Sequence, residues 1–186
     1  MKKFKSLFVF FLLLLAFKNL AQTSSDSLPK NESKRITYTQ IDIALPLYYD
    51  PAASEDSELG DILPAGINAV AGFGYHYKKW TAIGFHAGIN MRLDEKLLAT
   101  PIFLNYRISP QIGEDTILHI QLGYGKVFAL GRGGLSGPYK RINVGIGDTD
   151  KIFRGAVFLE YNEMRFSIHD RENIKSFSIG GTVFFL

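Results

Sequence analysis

From residue 36 onward, apolar side chains recur at every second position, and this period-two pattern constrains the chain more than any other feature. Ile67, Ala69, Ala71, Phe73, Tyr75 and Tyr77 alternate with Asn68, Val70, Gly72, Gly74 and His76. Ile83, Phe85, Ala87, Ile89 and Met91 alternate with Gly84, His86, Gly88 and Asn90. The same rhythm sets Leu118, Ile120, Leu122 and Tyr124 against His119, Gln121, Gly123 and Gly125. Ile142, Val144 and Ile146 oppose Arg141, Asn143, Gly145 and Gly147; Phe153, Val157, Leu159 and Tyr161 oppose Arg154, Ala156, Phe158 and Glu160. Successive side chains of a strand point to opposite faces, so each segment makes a strand with one apolar and one small or polar side. Eight such segments, bounded by turn residues, run over 36–47, 65–77, 80–91, 97–108, 117–128, 139–147, 152–162 and 176–186. Most reach the roughly 9–11 residues that a tilted strand needs to cross a bilayer. No segment sustains a period near 3.6, so helices are expected to be scarce.

Alternation leaves open which side meets water. A soluble β-barrel turns its apolar face inward and clothes the outside in Lys, Glu and Thr. Here the non-apolar face carries Gly, Asn, His, Gln and Ala, with isolated charges at Asp42, Arg107, Arg141, Arg154 and Glu160. Glycines and short polar groups suit the crowded lumen of a narrow barrel whose apolar face looks into lipid. The five charges are then expected to pair across that lumen, which offsets part of their burial cost.

The chain begins with Lys2, Lys3 and Lys5, followed by an apolar run of about 12 residues (6–17), Lys18, and a cleavage-type Leu20-Ala21-Gln22. A spanning helix needs roughly 20 apolar residues, so residues 1–21 read as a secretory signal peptide. Removing its four lysines leaves 17 basic against 18 acidic residues, a net charge of −1 rather than the +3 of the whole chain. The basic balance thus belongs to the signal and implies no nucleic-acid partner. Residues 22–34 are polar, contain Pro29, and read as a linker; residues 35–186 form one domain. With no cysteine, this exported domain has neither disulfides nor a lipid-bearing N-terminal Cys.

Aromatic residues fall at strand ends. Tyr75, Tyr77, Trp80, Tyr106, Phe153 and Phe185 come at the ends nearer the termini, and Tyr48, Tyr49, Phe128, Tyr139 and Tyr161 at the opposite ends. Two girdles of this kind mark headgroup levels. The final residues are Gly181-Thr182-Val183-Phe184-Phe185-Leu186, where Gly181, Phe184 and Leu186 fit the spacing of the C-terminal signal of bacterial outer-membrane barrels, with Leu in place of a terminal Phe. A competing register makes Phe177, Ile179, Val183 and Phe185 the apolar face. With the signal peptide and eight strands, residues 35–186 resemble the small outer-membrane barrels of the OmpA/OmpX-like kind. That resemblance implies an all-β, eight-stranded, antiparallel up-and-down transmembrane barrel in the cell outer membrane, in contact with outer-membrane lipid and inserted by the barrel-assembly machinery.

Several constellations carry chemistry at first sight. His76, His86, His119 and His169 include ligand-capable residues, but no His-x-His or His-Glu-x-x-His spacing supports a metal site. Ser167, His169, Asp170 and Glu172 hold the residue types of a nucleophile, base and orienting acid, yet match no known motif. The glycine-rich 131–138 lacks the Gly-Lys-Ser/Thr ending of a phosphate loop. Glu55, Asp56, Glu58 and Asp61, with Asp50 upstream, lack the order of a calcium loop. No catalytic, cofactor-binding or metal-binding residue is therefore assigned.

The expected role is structural, adhesive or partner-binding, carried by outer loops at 48–64, 129–138 and 163–175, with short turns at Lys78 and Lys79 and at 148–151 on the other side. An eight-stranded barrel is filled by its own side chains, so an open diffusion pore is not expected. Two other classes remain: an outer-membrane lipid-modifying hydrolase using Ser167 and His169, and a soluble periplasmic barrel that holds a ligand in an apolar lumen.

Overall fold

A computed structural model of the chain describes residues 37–50, 61–78, 80–131, 134–148, 153–166 and 173–185. Residues 1–34, read above as a signal peptide and linker, lie outside these. Nine strands follow one another: β1 (Thr37–Asp50), β2 (Asp61–Pro64), β3 (Gly66–Lys78), β4 (Thr81–Arg92), β5 (Leu97–Ile108), β6 (Thr116–Leu130), β7 (Ser136–Asp148), β8 (Phe153–Arg165) and β9 (Asn173–Phe185). β1 pairs antiparallel with both β2 and β3, each later strand pairs antiparallel with the next, and β9 returns to pair with β1, closing the sheet. β2 continues β3: β1 pairs Leu47 with Pro64 and Ala44 with Asn68, so one extra residue sits on the β2–β3 side. The result is a barrel of eight strands with a bulge at Ala65, whose N–H donates to the Pro46 carbonyl at 2.8 Å. Among the described residues there is no helix.

The register fixes the barrel's dimensions. Stepping across paired Cα atoms goes from Thr37 through Tyr75, Ile83, Tyr106, Leu122, Ile142, Tyr161 and Phe177 to Leu47. The path thus returns to β1 ten residues beyond its start, from position 37 to 47. With a rise of about 3.3 Å per residue and about 4.8 Å between strands, this stagger tilts the strands by roughly 40° and gives a backbone radius of about 8 Å. Such a cylinder has room for side chains and for nothing wider. Each residue along a strand then climbs about 2.5 Å, and each strand crossed from β1 toward β9 climbs about 3 Å.

Burial settles the polarity. Phe73 is 67% exposed, Leu159 65% and Leu104 59%, whereas Gln40, His86, Asn105, His119, Gln121, Asn143 and Asn162 are at 0%. Across the middle of the barrel most large apolar residues point outward and most polar residues inward, the reverse of a water-soluble protein. A surface of this kind in water would be an aggregation liability; in a bilayer it is the required wall. The barrel spans a membrane, and the reading of a soluble barrel with an apolar ligand-binding lumen is overturned.

Several expectations are corrected. β1 and β2 pair up to Asp50 and Asp61, so Asp61 belongs to a strand and the first outer connection is 51–60, shorter than 48–64. β6 extends to Leu130 and β7 begins at Ser136, reducing the second connection to a tight turn. Gly131 (φ 76°) and Gly134 (φ 75°) occupy the left-handed region there, and the Ala129 N–H donates to the Leu135 carbonyl at 2.8 Å. These two glycines supply the left-handed conformations of a hairpin connection. β8 and β9 narrow the third connection to 166–172. Tyr139 belongs to no girdle: it is 1% exposed and packs inside against Phe103, ring centroids 5.2 Å apart. It shares the parity of Arg141, so it must share its face. The C-terminal register resolves in favour of Phe177, Ile179, Val183 and Phe185 outward, while Phe184 is 2% exposed in the lumen. Leu186, Arg154's side chain and those of Tyr49 and Phe153 lie outside what is described.

Candidate functional site

The lumen holds the densest chemistry. Arg141, brought inward by the alternation of β7, is 1% exposed and lies between Asp42 of β1 and Glu160 of β8. Its Nη1 donates to Asp42 Oδ2 at 2.8 Å, and its Nε donates to Glu160 Oε2 at 2.7 Å. A polar shell completes both carboxylates. Gln40 Nε2 donates to Asp42 Oδ1 at 2.6 Å; Asn68 Nδ2 (3.0 Å) and Asn162 Nδ2 (2.9 Å) donate to Glu160 Oε1. Ser176 Oγ in turn donates to Asn162 Oδ1 at 2.9 Å. Turning the amide of Asn143 lets it accept from Arg141 Nη2 at 3.0 Å and donate to Glu160 Oε2 at 3.2 Å, the orientation that matches donors to acceptors.

A second cation lies below. Arg107 of β5 stacks between Tyr38 and Phe184, with Cζ 4.0 and 4.4 Å from the ring centroids. Its Nη2 lies 3.1 Å from His76 Nε2, and its Nη1 makes a long 3.5 Å contact to Gln40 Oε1. Gln40 thus joins Arg107 to Asp42, and the two arginines balance the two carboxylates. The aromatic faces supply attraction where water cannot.

Above the ion network the interior turns apolar. Val70, Leu97, Ala99, Phe103, Val127, Ala129, Tyr139, Met164, Phe166 and Ile174 form one buried cluster toward the outer end. The expectation of a wholly small or polar inner face is corrected here. Toward the outer headgroup level the interior is packed with apolar side chains, as in a water-soluble core.

Four of the five expected lumenal charges lie among described side chains: Asp42, Arg107, Arg141 and Glu160 all point inward, and three of them meet in one cluster. The histidines do not come together as ligands. His76 meets Arg107, His86 packs against Phe103 (5.4 Å), and His119 against Phe184 (5.1 Å). Among the described residues no group of three His, Cys, Asp or Glu could hold a metal. Ser167, His169, Asp170 and Glu172 lie outside the described residues, as do Glu55, Asp56 and Glu58. Sequence reasoning missed Gln40, Asn68, Asn162 and Ser176 as partners; their shared inward parity marked the face but not the stagger that makes them meet.

Both carboxylates are saturated by donors, and Arg141, Tyr139, Phe103, Phe158 and Met164 are each below 2% exposed. Among the described residues these side chains fill the cross-section around Arg141. The arrangement is therefore a brace across the barrel.

No protein-family model and no curated protein matches the chain. Solved structures do. The barrel is similar to Neisserial surface protein A, with a TM-score of 0.57 and 12% identity over 80% of this chain and 96% of that one. The N-terminal β-barrel domain of Pseudomonas aeruginosa OprF (TM-score 0.47, 10% identity, 80% and 97% covered) also resembles it. So does Ail, the attachment invasion locus protein of Yersinia pestis (0.38, 14%, 80% and 97%). At these identities the likeness concerns the fold, and the first comparison carries it. The chain has the fold of the eight-stranded outer-membrane β-barrels.

Proposed function

We propose that this inside-out barrel is an integral outer-membrane protein acting as a rigid, closed scaffold, with recognition carried by its outer connections at 51–60, 131–135 and 166–172. The single observation behind this reading is the closed interior: Arg141 is clamped between Asp42 and Glu160, with an apolar cluster above. A lumen so filled transports nothing by diffusion. The outer wall is committed to lipid, which leaves the outer end for binding. Secretion by a signal peptide, followed by escort to the barrel-assembly machinery, would deliver such a chain to the outer membrane.

The test combines location, conduction and loop deletion. In a two-membrane bacterium the mature chain should fractionate with the outer membrane, and recovery as soluble periplasmic protein would defeat the reading. Shortening the three connections should leave a folded barrel that migrates faster unboiled than boiled. It should also abolish binding of expressing cells to an immobilised panel of glycans and matrix proteins. Retention of full binding by the loopless barrel would move the function elsewhere. Loss of lipase-type activity on replacing Ser167 or His169 would support the hydrolase alternative instead.

A further inference from the structure

The outward face is not uniform around the barrel. On β6–β9 the apolar wall gives way near its outer end to Lys126, Lys140, Glu163, Arg165 and Lys175, all of outward parity. The register brings them together: Lys140 is paired with Glu163, and Glu163 with Lys175. Lys126 is paired with Pro138, two residues from Lys140, a diagonal reach of roughly 7–8 Å. Glu163 is ion-paired with Arg165 at 2.7 Å and also lies in the field of Lys140, so one acid is shared among several cations. The patch carries four cations and one anion.

Its height matters more than its charge. Counting from the row of Thr37, Lys126 and Lys140 stand roughly 21–23 Å up and Lys175 about 27 Å, on the rise and tilt derived above. The lower girdle, Tyr77, Trp80 and Phe185, lies near zero on that scale, and an apolar band is about 25 Å tall. The lysines therefore sit at its upper rim. Tyr124 is paired with Lys140, and Tyr161 packs against Phe177 (5.1 Å) just below Lys175, the aromatic level expected at an interface. At the same height on β3–β5 the outer face is Ile67, Ile89, Met91, Thr100 and Leu98, without a lysine. A solvated rim would be polar all round. Among the described residues this one is cationic in the β6–β9 sector, at the level where lipid phosphates lie.

We propose that the outward rim of β6–β9, through Lys126, Lys140 and Lys175, is a docking site for the phosphate groups of a phosphorylated glycolipid of the outer leaflet. The inference rests on the membrane-spanning reading. Lysine stems lie along the apolar wall while their ammonium groups reach the headgroup, and the neighbouring aromatic rings pack the first carbons of the acyl chains. Confinement to one sector makes the contact a site rather than a general attraction.

The experiment uses the full mature chain folded in a neutral detergent, with native mass spectrometry reading the bound fraction. The probe is a bis-phosphorylated glycolipid; its dephosphorylated form and inorganic phosphate are separate arms. Near an anionic surface each lysine is worth about fivefold, so K126Q/K140Q/K175Q should weaken the apparent Kd about a hundredfold. The unmodified barrel should bind the phosphorylated lipid, and bind the dephosphorylated one far more weakly. Faster unboiled migration shows that the variant still folds; K140R, which keeps the charge, should retain most of the binding that K140Q loses. Equal binding by the triple variant overturns the site. So does an equal preference for both lipids, or saturation of the patch by inorganic phosphate at the same concentration. Insertion into zwitterionic vesicles, followed in parallel, tests the spanning reading alone: a barrel that inserts but shows no lysine-dependent binding defeats only the docking site.

Discussion

Replacing Arg141 by Met should destabilise the barrel more than any other single change in the lumen. The substitution keeps most of the side-chain volume but removes two charge-assisted hydrogen bonds, 2.8 Å to Asp42 and 2.7 Å to Glu160. Bonds of this class contribute about 1.5–3 kcal/mol each, so the pair predicts a loss of about 3–6 kcal/mol. Leaving a buried charge without its partner costs about 3–5 kcal/mol by independent reckoning, and here two carboxylates, at most 2% exposed, are left facing each other. Removing all three charges together, as D42N/R141M/E160Q, keeps the shapes and deletes the repulsion. That variant should lose only about 1–2 kcal/mol. Denaturant unfolding of the protein in zwitterionic vesicles, read from the chain's one tryptophan, Trp80, measures both. A single variant within about 1 kcal/mol of the unmodified barrel would show that the brace contributes little. A triple variant as damaged as the single one would refute the charge argument itself.

Other outcomes follow from the same geometry. Leu159→Arg, at a site 65% exposed and near mid-band, should cost about 2–4 kcal/mol in vesicles, where an exposed Leu on a soluble protein would tolerate the change. Unfolding titrations of the folded variant read this. Gly72→Ala would drive a methyl carbon into the His86 ring and should destabilise by about 1–3 kcal/mol in the same assay, because a filled lumen cannot yield. In planar bilayers the barrel should show no discrete conductance steps; regular openings would mean that the layers around Arg141 part.

The fold was legible because a bilayer imposes a simple rule on a strand. Ile83 to Met91 and Ile142 to Ile146 each declare a face by parity alone, and the structure places those faces outward. The inward set, Asp42, Arg107, Arg141 and Glu160, was legible for the same reason. What parity cannot give is the stagger. Arg141 meets Asp42 across 99 positions of sequence because the register climbs ten residues around the barrel, and nothing local encodes that climb. Strand ends were equally hard to read. Toward the outer headgroup level the inner face turns apolar, so Val127, Met164 and Ile174 inward with Lys126, Glu163 and Lys175 outward look like the end of a pattern when they are its continuation. Tyr139 was misplaced at that change: an aromatic at a strand end suggested a girdle, although its parity with Arg141 placed it inside.

The central claim is that the apolar face of this barrel meets lipid. Single nitroxide labels at Leu104, Val144, Leu159 and Ile179, introduced one at a time into the chain reconstituted in phospholipid vesicles, test it directly. Collision with dissolved oxygen and with a water-soluble nickel complex should favour oxygen strongly at all four positions, while a label on the 51–60 connection favours nickel. Preference for the nickel complex at Leu104, Val144, Leu159 and Ile179 would place that face in water and contradict the account.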